Sequence, residues 1–374
     1  MRAGEPLIYN KARVNKSISS ILAASASMNR RDFIVTSLAA LGLSVARTSR
    51  ARATSARLLN AYYFRAGMGT FVPKHIRDDV AVMKACGTMA ITLSILEQDF
   101  THEEKNLAFI IREAQTLGLH VFAMPSRWAG LFSGSMRVPS SFTAQRPHTW
   151  ILKQDGSPLL QSGMMMSSIH HPETTEFFKS SLKKILDIGI DGIIWHEPKG
   201  FRQDFSPTAV EKLGKSAPKE AHVKAFAAFV SSLNEFIKQQ KKDAVITLTT
   251  DAASTDDEWQ AASAIEGLDY FGCDGKPFGN EEIQALKLDE KEVGLLDVAE
   301  KISGYARKAN AKLMFSTQNH SVADADLAAI DRGLPKVIAK QPDHLAYYFY
   351  PRNTQSPDKL MEIYQRHLKT FSKS

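Results

Sequence analysis

The run from Lys183 to Gly200 reads K-K-I-L-D-I-G-I-D-G-I-I-W-H-E-P-K-G. Its pattern predicts a helix end, a turn at Gly189 and a short apolar strand over 190–195, stopped by His196-Glu197-Pro198. Proline lacks the amide hydrogen a sheet ladder needs, so the strand ends there and leaves the Glu197 carboxylate at its C-terminal lip. Asp274, flanked by Gly272 and Gly275 in F-G-C-D-G-K-P, offers a second carboxyl after another apolar run. A pair of carboxyls facing each other can divide proton donation from nucleophilic or general-base work. The other strand ends carry Arg65, Glu97-Gln98-Asp99, Ser126-Arg127-Trp128, Thr250-Asp251, Lys276, Gln318-Asn319-His320 and Tyr350-Pro351-Arg352. Carboxylates, amides, aromatics and arginines gathered in this way suit a polyhydroxyl ligand, hydrogen-bonded by polar groups and stacked on aromatic faces.

These residues need a frame that brings strand ends together. From Leu58 onward an apolar run, a polar or Gly-rich stretch and an amphipathic segment recur in that order. Strands are predicted over 59–64, 89–96, 120–124, 190–195, 244–249, 268–273, 312–316 and 344–349. Helices are predicted over 76–86, 103–117, 175–187, 222–241, 257–265, 297–308, 324–339 and 357–370. Strict alternation of this kind is the pattern of an α/β fold of the (β/α)8 TIM-barrel type, in which the C-terminal lips of the strands carry the chemistry. Gly87, Gly118, Gly189 and Gly267 each fall between a helix and a strand, where a left-handed residue is wanted. Thr101 and Glu104 have capping-box spacing, and Ser356-Pro357 places a cap before a first-turn proline. Arg65-Ala-Gly-Met-Gly lacks the third glycine and the following helix of a dinucleotide loop, which argues against a doubly wound sheet. A long loop after the third strand, about 125–172, holds Trp128, Trp150 and the run Met164-Met165-Met166; it is expected to form a lid or subsite wall.

The formal charge is +7. Nine of the 47 Lys/Arg and two of the 40 Asp/Glu fall in residues 1–53, so the remainder holds 38 of each and has no basic footprint for nucleic acid. In the leader, Asn29-Arg30-Arg31-Asp32-Phe33 resembles the twin-arginine export motif. An apolar run over 33–46 and small-residue sites at Ser44-Val45-Ala46 and Ala51-Arg52-Ala53 complete a signal-peptide pattern. The expected organisation is a leader over 1–53, with 1–27 upstream of a start at Met28, and a barrel over 54–374. The expected location is periplasmic or secreted, with no membrane association after cleavage. Cys86 and Cys273 read as free buried thiols. There is no H-E-x-x-H, no C-x-x-C and no H-x-H after the first strand, so neither metal nor cofactor is expected.

Trp195-His196-Glu197-Pro198 after the fourth strand resembles the Asn-Glu-Pro motif of the large clan of retaining barrel glycoside hydrolases, with His196 in the place of Asn. The stretches H-E-P-K and F-G-C-D-G-K-P also look like those of exported bacterial barrels of glycoside-hydrolase type. The resemblance implies that Glu197 is the acid/base of glycosidic cleavage, acting on a carbohydrate. It departs at the seventh strand, where the clan has a second Glu and this chain has Gln318-Asn319. Asp274 is therefore the expected counterpart, with Glu97 and Asp251 in reserve. Arg65, Glu97, Trp128, His196, Asp251, Gln318, Asn319, Tyr350 and Arg352 are the candidate substrate contacts. Arg65 and Arg352 could clamp the carboxylate of an acidic sugar or pair with Glu97 and Asp251. Two other readings stay open. One is a carbohydrate-binding barrel without catalysis, and the other is a sugar-acid lyase or isomerase using His196 or His320 as base.

Overall fold

A computed structural model describes residues 57–64, 72–289 and 292–371. The leader, its arginine pair and its cleavage sites lie outside the described residues, as does Arg65. Among the described residues no helix is long and apolar enough to cross a membrane.

Strands β1 (Leu58–Tyr62), β2 (Ala90–Ile95), β3 (His120–Pro125), β6 (Gly192–His196), β7 (Val245–Asp251), β8 (Tyr270–Gly275), β9 (Lys312–Thr317) and β10 (His344–Tyr348) close into one barrel. Every barrel pairing is parallel, and β10 returns to β1 with Leu58 opposite His344. A short hairpin, β4 (Leu160–Gln161) and β5 (Met164–Met165), belongs to the long loop. Helices α1 (Pro73–Ala85), α2 (Asp99–His102), α3 (Glu104–Thr116), α4 (Ser141–Ala144), α5 (Pro172–Asp187), α6 (Pro207–Leu213), α7 (Lys219–Gln240), α8 (Asp256–Ser263), α9 (Asn280–Ala285), α10 (Leu295–Lys308), α11 (Leu327–Ala339) and α12 (Pro357–Phe371) fill the connections. The expected TIM barrel with a long loop after its third strand is the observed fold.

Two cores follow from the two-residue period of a strand. Side chains facing the helices join one large cluster, including Leu59, Ile91, Val121, Ile193, Leu248 and Phe315. The alternate set faces inward as Leu58, Tyr62, Phe122, Met124, Ile194, Met314 and Tyr348. Gly272 belongs to the inward set for a steric reason: a Cβ there would lie 1.7 Å from the Met314 carbonyl oxygen. Gly87, Gly118, Gly189 and Gly267 all have positive φ, as their positions after helices require. The Thr101 capping box does not form. Thr101 lies inside α2, and Glu103 precedes α3 without a side-chain cap. A capping box does form between Thr255 and Glu258 at the start of α8.

Candidate active site

β6 is buried along its whole length, and its last two side chains diverge. Trp195 turns out toward the helices, donating from Nε1 to Asn234 Oδ1 at 2.7 Å and stacking on Phe132 with ring centroids 4.7 Å apart. His196 turns into the barrel. Glu197 follows with φ +42, a left-handed conformation costing a non-glycine residue about 1–3 kcal/mol. Its amide donates to the Thr249 carbonyl at 2.7 Å, which holds the turn against β7.

The long loop braces this turn. Phe132 bridges to Pro198, Ser133 N donates to the His196 carbonyl at 3.0 Å, and Lys199 N donates to the Leu131 carbonyl at 2.8 Å. Phe132 packs within the aromatic group of Trp195, Phe178 and Phe226, which fixes where Ser133 stands. Gly200 lies so close to the Phe226 ring that a Cβ would fall 2.1 Å from it. The result is that Ser133 Oγ donates to Glu197 Oε2 at 2.9 Å, while Lys199 Nζ lies 2.9 Å from the same oxygen.

These neighbours decide the charges. Burial alone would raise the Glu197 carboxyl, but His196, Lys199 and Ser133 favour the anion and pull it down to about 2. His196 is buried, which alone would lower it, yet Glu197 at 3.7 Å and Asp274 at 3.5 Å raise it above the ordinary histidine value. Asp251, at the end of β7, goes the other way. Burial raises it, the nearby carboxyls of Glu197 and Asp274 add to that, and the Ala253 amide at 2.9 Å offsets only part, leaving it at about 6. Glu197 and Asp251 line one cavity of about 160 Å³, with Lys199, Arg202 and Glu258 among its other walls. One of these cavity carboxyls is thus pulled well below its ordinary value and another is pushed up to about 6.

Asp274 is opposite Asp251 in the β7–β8 register but is 1 % exposed, and it is not among the groups lining that cavity. Tyr348 donates to its Oδ2 at 2.7 Å, and His196 Nε2 approaches the same oxygen. The expected counterpart of Glu197 is therefore a closed-off carboxyl in contact with Tyr348 and His196. His320 sets its ring edge-on to Tyr348 at 4.9 Å, and burial lowers its proton affinity.

Several expected contacts do other work. Glu97 is nearly closed off, and its carboxylate accepts from Ala129 N at 3.0 Å, Ser140 Oγ at 2.7 Å and Phe142 N at 2.7 Å. It ties the long loop to β2 and leaves nothing for a ligand. Trp128 is fully buried, bonded through Nε1 to the Ile95 carbonyl at 2.9 Å, and gives no stacking face. Asn319 is also buried, its amide clamping both the Tyr348 carbonyl and the Tyr348 N–H at 2.8 Å. Gln318 N donates to the Gly275 carbonyl at 2.9 Å, and its side chain is half-buried. Tyr350 is 44 % exposed and donates to Asp79 Oδ1 at 2.7 Å. Arg352 donates from Nη1 to the Ser135 carbonyl. His171 accepts from Glu173 N at 3.3 Å as the N-cap of α5. Cys86 and Cys273 are free and buried.

Sequence reasoning did not single out Ser133, Lys199 or Tyr348, and it named Arg127 only in passing among the strand-end groups. Lys199 had a signal, standing two residues beyond Glu197 in the H-E-P-K run. Tyr348 could have been found by carrying inward parity from Asp274 across β9 to β10. Ser133 had none, because only the folded loop brings it to β6.

Among the described residues, one group of three has ligand atoms mutually close enough for a metal: His148, His171 and Glu173, within 4.8 Å. It stands at the positive end of α5 with Arg146 already 3.1 Å from Glu173, both of which oppose a cation.

No family profile matches the sequence, and no curated protein resembles it in sequence. Solved structures do share the fold. The β-galactosidase of Rahnella sp. R3 superposes with a TM-score of 0.59 at 11% identity, over 86% of this chain and 56% of that one. An endo-β-1,4-mannanase from Thermotoga petrophila gives 0.57 at 10% identity, covering 86% and 78% of the two chains. The catalytic domain of a β-amylase from Paenibacillus polymyxa gives 0.55 at 9% identity, covering 85% and 98%. The chain shares its barrel with glycoside hydrolases.

Proposed function

We propose that this protein is a glycoside hydrolase in which Glu197 works as an anion and Asp251 as the proton donor. What carries the reading is that two carboxyls lining one cavity are displaced in opposite directions, one to about 2 and the other to about 6. Environments that push two neighbouring titratable groups apart assign the acid and the base. The sequence resemblance suggests the opposite role for Glu197, but a carboxyl bonded to Lys199 and Ser133 releases its proton far too readily to act as an acid near neutrality.

In the proposed step the Asp251 proton passes to the glycosidic oxygen as its bond to the anomeric carbon breaks. The Glu197 carboxylate meets the positive charge that develops there, by attack on carbon or by taking a proton from the incoming water. The configuration of the released sugar separates these two routes. His196, whose proton affinity Glu197 and Asp274 raise, favours the Glu197 anion from 3.7 Å away. The barrel shared with a β-galactosidase, a mannanase and a β-amylase supports the reaction class.

The test is release of reducing sugar from a panel of aryl glycosides and oligosaccharides by the protein lacking residues 1–53. Wild type is expected to turn over at least one substrate, and Glu197→Gln to lose about 10²–10⁴-fold. Binding without turnover in both proteins would sink the hydrolase and leave a carbohydrate-binding barrel. An unsaturated or isomerised product would replace it by a lyase or isomerase. Export by the twin-arginine route belongs to the same proposal, so Arg30→Lys with Arg31→Lys is expected to strand the protein in the cytoplasm on cell fractionation.

A further inference from the structure

Arg127, Arg137 and Arg352 share one electrostatic neighbourhood with Glu197, and among the described residues none of the three has a carboxylate within the 4.0 Å of an ion pair. Arg127 follows β3 with φ +62, so the strand ends flanking this side of the mouth, at Arg127 and Glu197, both turn through left-handed backbone. Its Nε donates to the Met136 carbonyl at 3.0 Å. Arg352 follows β10 and donates from Nη1 to the Ser135 carbonyl. Arg137 is the next residue along. The guanidinium of Arg127 feels Glu197 as an attractive charge and both Arg137 and Arg352 as repulsive ones, so the four form one electrostatic neighbourhood.

The anchoring is what makes this a site. Ser135 and Met136 belong to the same stretch of loop as Ser133, whose hydroxyl holds Glu197. Ser135 is itself fixed, its Oγ lying 2.7 Å from Ser94 Oγ inside the barrel. Two residues of chain span at most about 7 Å, so the carbonyl that orients Arg352 lies no further than that along the backbone from the residue touching Glu197. Arg127 is tied down through Nε, which leaves its paired terminal nitrogens uncommitted to any carboxylate. The three like charges repel one another, and Glu197, already bound to Lys199 and Ser133, offsets only part of this, so a ligand anion relieves the rest. A guanidinium fork matches a planar carboxylate bidentately.

We infer that the site selects a glycan carrying a carboxylate, a uronic acid, seated on Arg127 and Arg352 on the Glu197 side of the mouth. This rests on the reading of Glu197 and Asp251 as the working pair, and it adds the charge of the substrate.

Binding is measured by calorimetry at pH 5 in Asp251→Asn, a variant whose site charge at that pH is close to that of the wild type because Asp251 holds its proton there. The probes are β-1,4-linked glucan and mannan oligosaccharides, each beside its C6-oxidised uronate form. At least one uronate is expected to bind tenfold or more tightly than its neutral partner, to weaken as salt rises, and to lose that advantage in the added Arg352→Gln. Arg352 is exposed, so this change leaves the core intact, and the thermal midpoint confirms folding. Equal or better binding of the neutral sugars overturns the inference. So does uronate binding indifferent to Arg352→Gln, or binding of no member of the panel. Failure of the catalytic reading shows separately, as wild type that binds a uronate and releases no reducing end.

Discussion

Two histidines inside the barrel, both closed off from solvent, have their proton affinities driven in opposite directions. His344 opens β10 and His196 closes β6, so they stand at opposite ends of the strands. Around His344 the neighbours are neutral: Asn60 Nδ2 lies 3.1 Å from its Nε2, with Phe122 and Tyr270 against the ring. With nothing to offset burial, its proton affinity falls to about 3. His196 is buried as well, but it stands between Glu197 and Asp274 and is raised instead. The comparison teaches that depth in the barrel does not decide charge. What decides is whether the surrounding layer holds carboxylates, and in a barrel of this type the carboxylates collect at the end where loops can reach them.

The largest effect should come from Asp251→Asn, which breaks the charged end at its proton donor. Turnover should fall about 10²–10⁴-fold. The wild-type pH profile should rise with Glu197 ionised, above about 2, and fall as Asp251 loses its proton through about 6. In the Asn variant any residual activity should lack the upper limb. Stability should move the other way. A carboxyl whose folded affinity is raised costs stability as pH climbs from about 4 to 6, so removing it should stabilise the fold by about 1–3 kcal/mol at pH 8 and by little at pH 3. Denaturant titrations at the two pH values check this.

Next in size is the neutral end. As pH falls below 6.5, unfolded His344 takes up a proton that the folded state refuses until about 3, so stability drains away over that window by roughly 2–5 kcal/mol. His344→Gln should move the acid-unfolding midpoint downward and leave turnover within about twofold. If it abolished turnover, the separation of a structural end from a chemical one would fail.

His196→Gln should show the opposite pH signature. A raised histidine contributes stability that is full below 6.5 and lost as pH rises through the folded value, so the variant should match wild type best at alkaline pH. Its turnover should drop by roughly tenfold, because the anionic state of Glu197 loses one of its supports.

The smallest shift is expected for Lys199→Met, which removes the partner 2.9 Å from Glu197 and should raise the lower limb of the pH profile by about one unit.

How much of this was legible depends on the range of the forces involved. The four glycines after helices were readable because a left-handed turn is a local demand of the backbone. Thr101 and Glu104 had the right spacing for a cap, but α2 absorbed Thr101 and the pattern came to nothing. Glu97 and Asp251 looked equivalent in sequence, each an acid just past an apolar strand. One became the anchor of a loop through Ala129, Ser140 and Phe142, and the other became a cavity wall. Nothing in the residues beside them separates the two outcomes.

The amino-acid order on its own determined the alternation of strands and helices, where each strand stops, and hence that Glu197 stands at a C-terminal lip. These are consequences of periodicity, of proline and of glycine, which act within a few residues. Only the tertiary structure decided that the Glu197 carboxyl is pulled down, that Asp251 is pushed up and that Asp274 is shut inside with Tyr348. Proton affinity is set by burial and by charges within a few ångströms, and those neighbours arrive from strands and loops far away in the chain.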